Sequence, residues 1–144
     1  MMQIFTRQIK IEDAVEVNQL SSQLGYPLSV EETKKNIAAV ITNENDDAFV
    51  ALYENKIVGW IGVSQAILIE VNPYCEINGL VVDEKYRGKS VGKLLLEKAA
   101  QWGKKKGNNK LRLRCNIIRI ETHKFYQHLG FRELKQQKVF EIDI

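Results

Sequence analysis

Residues 74–93, YCEINGLVVDEKYRGKSVGK, constrain this chain more than any other stretch. Positions 74–82 have the β-branched and aliphatic content of a strand that packs on both faces. Asp83 and Glu84 suit a strand interior poorly and end it. Arg87-Gly88-Lys89-Ser90-Val91-Gly92 then runs into Lys93-Leu94-Leu95-Leu96, where an amphipathic helix begins. A buried strand therefore feeds a glycine-containing turn that opens a helix. Such a helix start leaves its first four N–H groups without intrahelical acceptors and carries partial positive charge. Two glycines allow close approach, and Arg87, Lys89 and Lys93 add charge, so the turn is expected to hold a phosphate or pyrophosphate. The plain alternative is an ordinary strand-to-helix turn with surface lysines.

Spacing rules out two other phosphate loops. Gly88-Lys89-Ser90 imitates the end of a P-loop, but that loop needs a further glycine where this chain has Asp83. The dinucleotide fingerprint G-x-G-x-x-G also fails, because no glycine lies between Gly88 and Gly92.

A chain of 144 residues fits one domain, 1–144, with a sizeable core. Its net charge of +3 is a mild excess, without the basic stripe and interleaved aromatics of a nucleic-acid binder. The densest basic run, Lys104-Lys105-Lys106, falls at a predicted helix end and suits the helix dipole. Cys75 and Cys115 both fall in predicted strands, and no Cys-x-x-Cys spacing occurs. Neither a metal site nor a disulfide framework is expected; buried thiols in a reducing compartment are. Residues 1–13 contain no long apolar run, so neither a signal peptide nor a membrane span is expected there. The expectation is a cytoplasmic protein with neither membrane nor nucleic acid as partner.

Along the chain, residues 3–9 alternate as a first strand, and 11–24 read as an amphipathic helix ended by Gly25-Tyr26-Pro27. Ser29-Val30-Glu31-Glu32 is a capping box opening a second helix toward residue 41. The turn between these helices carries Tyr26, a candidate lining for an acceptor site or a residue that merely packs. Residues 47–53 and 56–67 read as a hairpin turning at Glu54-Asn55, and Gly59-Trp60-Ile61-Gly62 signals a bend or a close backbone approach. The helix over 90–106 buries Val91, Leu94, Leu95, Ala99 and Trp102, and Gly107 ends it. A strand over 110–115, a short helix over 119–129 stopped by Gly130, and a last edge or hairpin strand over 139–144 complete the chain. The order predicts an α/β fold around one mixed sheet.

Three further residues are candidates for chemistry. Tyr126, beside the apolar side of the short helix, can donate a proton to a leaving group or simply pack with its hydroxyl bonded. Glu76, a carboxylate in a largely apolar strand, is a candidate general base or an ion-pair partner for Arg112 or Arg114. Asn116 closes a strand at the end where α/β sheets bind ligands; its amide suits an amide-rich ligand arm or a turn.

Taken together these residues resemble the GNAT superfamily of acyl-CoA-dependent N-acetyltransferases over nearly the whole chain. Arg87-Gly88-Lys89-Ser90-Val91-Gly92 is similar to the family's [Q/R]-x-x-G-x-[G/A] loop, with Ser90 in place of the middle glycine. That departure matters if the position requires positive φ. Leu80-Val81-Val82-Asp83 resembles the family strand that pairs with the pantetheine arm. Asn116, Arg119, Glu121-Thr122-His123-Lys124-Phe125-Tyr126 and Leu129-Gly130-Phe131 resemble its closing motif, whose tyrosine is the acid.

The resemblance implies a mostly antiparallel mixed sheet flanked by helices and splayed between its fourth and fifth strands, with Gly79 as a place for the bulge. It implies acetyl-CoA as co-substrate and no metal. The pyrophosphate falls on the N–H groups of residues 88–92, with Arg87 and Lys93 alongside, and the pantetheine lies along Leu80, Val81 and Val82 near Asn116. A backbone N–H near Leu80 polarises the acetyl carbonyl, Glu76 receives a proton through water, and Tyr126 protonates the thiolate. The acceptor is a small-molecule or peptide amine, and a homodimer is compatible with such a fold. The competing reading is a non-catalytic acyl-CoA-binding sensor or partner-binding domain.

Overall fold

The computed structural model describes residues 3–144, which fall into two compact units divided between Leu113 and Arg114. The first unit contains β1 (Phe5–Gln8), α1 (Ala14–Ser22), α2 (Val30–Thr42), β2 (Asp46–Tyr53), β3 (Lys56–Ala66), β4 (Tyr74–Val82), α3 (Val91–Lys105) and β5 (Leu111–Leu113). The five strands lie side by side in chain order, antiparallel except for β4 and β5, which are parallel.

Local sequence sets each join. Ser29 accepts from the Glu32 N–H while Glu32 accepts from the Ser29 N–H, closing the capping box of α2. Glu54 and Asn55 both take positive φ, 50° and 65°, which matches the twist of β2 and β3 across a two-residue turn. At the end of α3, the Gly107 N–H reaches the Lys104 carbonyl and the Asn108 N–H reaches that of Gly103, with Gly107 at φ 90°. That is a Schellman exit, as the glycine suggested.

Both faces of the sheet are covered. Val17 and Leu20 of α1 and Ile37 of α2 join Ala48, Val50, Ile57 and Val81 in one cluster, with Trp60 packed against it. On the other face, Gly59 lies under α3: a Cβ there would be 3.1 Å from both Val91 Cγ1 and Leu95 Cδ1. This is the close approach that Gly59-Trp60-Ile61-Gly62 signalled. Val91, Leu95, Leu96, Ala99 and Gly103 form the buried side of α3. Leu94 and Trp102, expected there, are only half-buried.

The sheet bulges twice. Val58 is the extra residue between Ala51↔Gly59 and Leu52↔Ile57. Asn78 is the extra residue between Gly62↔Gly79 and Val63↔Ile77, one position from the bulge expected at Gly79.

The second unit holds α4 (Ile120–His128), stopped at Gly130 with φ 98°. Residues 131–144 form no helix or strand, so the last strand expected over 139–144 is absent. Alternating apolar residues report which side of a strand is greasy. They do not supply the neighbouring strand that makes it one. The strand expected over 110–115 likewise shortens to Leu111–Leu113, the length over which β4 pairs with it.

The entry to α1 depends on a buried carboxylate. Asp13 is 6% exposed and accepts two bonds from Arg7, 2.8 and 2.9 Å, and one from the Lys10 N–H. Desolvation opposes its ionisation, but the bonds from Arg7 and Lys10 outweigh this and hold its pKa below the usual value. Asp13→Asn is therefore expected to cost about 1–2 kcal/mol at neutral pH. A carboxylate with a depressed folded pKa stabilises above its unfolded pKa and loses that contribution as pH falls through the folded value. Denaturant titrations should show the gap between variant and wild type at about pH 7 narrowing by about pH 3; an unchanged gap contradicts the charge pair as its source.

Candidate active site

β4 is paired along its whole length on one side only. Toward β3 the register runs from Tyr74 to Val82. Toward β5, among the described residues, it covers Cys75, Ile77 and the Glu76 between them. Backbone direction beyond the bulge follows from two contacts. The Asp83 N–H donates to the Val58 carbonyl, and the Val81 carbonyl lies 3.0 Å from where a Gly59 Cβ would be, so residues 81 and 83 face β3. Strand alternation then turns the N–H and C=O groups of Leu80 and Val82 to the β5 side, past the last β5 partner.

The chain then turns through a pinned corner. Asp83, 5% exposed, accepts from the Lys85 N–H, and the Tyr86 N–H donates to the Asp83 carbonyl. Tyr86 packs on Tyr53 with Lys56 above its ring, and the Gln23 side chain at the end of α1 accepts from the Glu84 N–H. Residues 87–90 are exposed. The Leu94 N–H donates to the Ser90 carbonyl as the first turn of α3 closes. The N–H groups of Val91, Gly92 and Lys93 thus precede the first helical bond and have no intrahelical acceptor. The first turn contains no acidic residue, and Arg87, Lys89 and Lys93 stand exposed around it. Gly88 has φ 75° with open space where a Cβ would lie. The corner fits a diphosphate in charge, donors and access.

Ser90 sits at φ 66°, in the left-handed region. The substitution for the family glycine therefore falls where glycine's freedom is used, and Ser90 caps nothing with its side chain.

Glu76 lies half-buried on the α1 and α2 face of β4, in register with Ser64 on one side and Arg112 on the other. The Arg112 guanidinium stacks 4.2 Å from the Tyr74 ring centroid. Neighbouring Cys75 is buried against Gly103, and its thiol is pushed up to about 11, by desolvation first and the Glu76 charge second. A thiol so raised is not a nucleophile at neutral pH. Both cysteines are free, Cys75 buried and Cys115 half-buried.

In the second unit, Tyr126 is half-buried between Phe125 and Phe131, with ring centroids 5.3 and 5.7 Å away. Desolvation, then the nearness of Cys115, raise its phenol pKa against the lowering effect of Arg119. Phe125 is the more exposed of the Phe125 and Tyr126 rings. The Asn116 Oδ1 accepts from the Ile118 N–H and its carbonyl accepts from the Arg119 N–H, so Asn116 shapes the turn before α4. Its carboxamide oxygen is committed there, and its NH₂ is the part left to donate.

The family model described as the acetyltransferase (GNAT) family matches residues 14–131. The chain belongs to the GNAT acetyltransferase family. A Bacillus subtilis N-acetyltransferase, YhdJ, is 30% identical over 122 residues, covering 83% of this chain and 85% of that one. The aminoalkylphosphonate N-acetyltransferase of Salmonella typhimurium is 31% identical over 69% of this chain and 66% of its own. An N-acetyltransferase of Methanocaldococcus jannaschii, MJ1207, is 29% identical over 65% of this chain, but the match spans only 42% of that longer protein. Among solved structures, AAC(6')-Iy with a bisubstrate analogue superposes with a TM-score of 0.87 at 18% identity, covering 99% of each chain. At that identity the likeness concerns the fold. As a GNAT protein this chain keeps the five-strand mixed sheet, and among the described residues no helix is long and apolar enough to cross a membrane.

The candidate residues of the first unit gather along one path: Leu80, Val81 and Val82 on β4, then 87–93 at the corner. Two polar residues not singled out in the sequence meet beside the bulge, where Asn78 Nδ2 donates to Ser64 Oγ.

Ser90→Gly is expected to raise stability by about 0.5–1 kcal/mol, the relief of left-handed strain exceeding the added chain entropy. Thermal unfolding checks this; a lower midpoint would mean that the Ser90 side chain contributes something the backbone strain does not reveal.

Proposed function

We propose that this GNAT protein transfers an acetyl group from acetyl-CoA to a primary amine by direct attack in a ternary complex. The observation that carries the reading is the continuity of main-chain donors from the unladdered edge of β4 into the start of α3. An extended pantetheine chain ending in a diphosphate has the matching order of groups: amides first, anion last.

In this reading the N–H groups of Gly88 to Gly92, with Arg87, Lys89 and Lys93, receive the diphosphate. Leu80 and Val82 pair with the pantetheine amides as a neighbouring strand would, and Val81 anchors them through β3. The Asn116 NH₂ supplies a further donor for the arm. The Leu80 N–H receives the thioester oxygen as negative charge develops on it; losing one such donor costs about a hundredfold or more in rate. Glu76 accepts, through water, the proton an ammonium must lose before attack. The nitrogen then bonds to the acetyl carbon, the C–S bond breaks, and Tyr126 gives its proton to the sulfur. Its raised pKa keeps the phenol protonated at neutral pH, as a donor must be. The acceptor is an amine, a small molecule or a peptide N-terminus; the aminoglycoside and aminoalkylphosphonate enzymes among its likenesses act on small amines by their names.

Thiol release from acetyl-CoA with a panel of amines tests this. Tyr126→Phe is expected to lower turnover by about tenfold or more while leaving coenzyme A affinity within about twofold. Arg87→Ala with Gly92→Asp is expected to weaken coenzyme A binding by about tenfold or more in calorimetry. Unchanged turnover removes Tyr126 from the mechanism, and unchanged affinity moves the cofactor elsewhere. Coenzyme A binding without thiol release for any amine would make the protein a sensor.

A further inference from the structure

A polar relay crosses three strands beside the β4 bulge. Ser64 Oγ donates to Asp46 Oδ1 at 2.5 Å, and Asn78 Nδ2 donates to Ser64 Oγ at 2.5 Å. Register places Asp46 opposite Ser64 and Ser64 opposite Glu76, so the three share the α1 and α2 face of the sheet. Asn78 joins that face because it is the bulge's extra residue, with its Cβ 3.8 Å from where a Gly62 Cβ would lie. Asn78 is exposed, while Ser64 and Asp46 are half-buried.

Counting protons fixes which way the Asn78 amide points. The Asp46 carboxylate only accepts, so the single Ser64 proton goes to it. Ser64 then has only lone pairs for Asn78, which must present its NH₂; the inverted amide would set oxygen against oxygen. The relay thus turns Asn78 Oδ1 away from Ser64 as an oriented acceptor. It lies two residues before Leu80, on the same face as Glu76 and Trp60. The neighbouring Gly79 has no room for a side chain on that face, since a Cβ would meet Trp60 Cη2 at 2.8 Å. The face beside the bulge is therefore shaped by the Trp60 ring and the Asn78 carboxamide, with Glu76 on the same face.

We infer that Asn78 receives an N–H of the incoming amine and orients its nitrogen for attack, with Ser64 and Asp46 as positioning residues acting through it. This rests on the acetyltransferase reading above. A primary amine that has lost its ammonium proton to Glu76 retains two N–H bonds. One held by Asn78 Oδ1 aims the lone pair at the carbonyl carbon; the other leaves as a proton when the tetrahedral adduct collapses, passing through water to restore the Tyr126 phenol that protonates the departing thiolate.

Acetyl transfer from acetyl-CoA to n-butylamine, neamine and glycylglycine is measured for wild type, Asn78→Ala, Ser64→Ala, Asp46→Asn and the Ser64→Ala/Asn78→Ala double variant. With any amine that wild type acetylates, Asn78→Ala should raise the amine KM by about tenfold, leaving the acetyl-CoA KM within about twofold. Ser64→Ala and Asp46→Asn should each raise the amine KM by about threefold, because either lets the amide invert. In the Asn78→Ala background Ser64→Ala should add nothing, which a purely structural role would not produce. An unchanged amine KM in Asn78→Ala, a parallel rise in the acetyl-CoA KM, or an additive double variant overturns the assignment. Failure of wild type to acetylate any of the three amines overturns the acetyltransferase reading itself, and this inference with it.

Discussion

The proposed cofactor path depends on a strand that, among the described residues, keeps one neighbour along its length and the other over its first half. β4 bonds to β3 from end to end, but β5 accompanies it for only three residues. Main-chain groups that lack a ladder must find other partners, because an unpaired buried N–H or C=O is costly. Here they sit in line with a second set of donors, the opening N–H groups of α3. Two ordinary features, a sheet edge and a helix start, become one continuous line of donors because the corner at residues 83–90 joins them. Buried Asp83 and the Tyr53–Tyr86 contact hold that corner.

The bulge at Asn78 links this edge to the helical face of the sheet. An extra residue in β4 turns Leu80 and Val82 toward the open side, and the same extra residue places a carboxamide on the helical face. Gly79 and Gly62 opposite each other leave room for the Trp60 ring, which locks the position. Backbone direction and side-chain presentation therefore have one cause. Ser90 shows the opposite economy: its left-handed backbone opens α3 without a side-chain cap in return.

Much of this was legible in the sequence because it is local. The capping box at Ser29 and Glu32, the Glu54-Asn55 turn, the Gly107 and Gly130 helix exits and the strand-turn-helix of residues 74–93 each follow from side chains within a few positions. What could not be read is what depends on pairing between distant segments. The length of β5 and the absence of a strand over 139–144 are set by neighbours, which alternation does not name. The αL conformation of Ser90 could be posed as a question but not answered, since serine does not announce positive φ. The Asn78–Ser64–Asp46 relay escaped notice because its members are 14 and 18 residues apart and meet only through the register of three strands. Asn116 was expected to close a strand, but β5 ends at Leu113 and the Asn116 carboxamide oxygen accepts from the turn before α4.

The most direct measurement is an amide-resolved NMR titration comparing coenzyme A with pantetheine. The account predicts that coenzyme A shifts the amides of Gly88, Val91, Gly92 and Lys93 together with Leu80 and Val82. Pantetheine, lacking the diphosphate, should move Leu80 and Val82 while leaving residues 88–93 in place. Shifts that bypass both segments, or a coenzyme A response confined to another surface, would contradict the claim that one continuous line of main-chain donors receives the ligand.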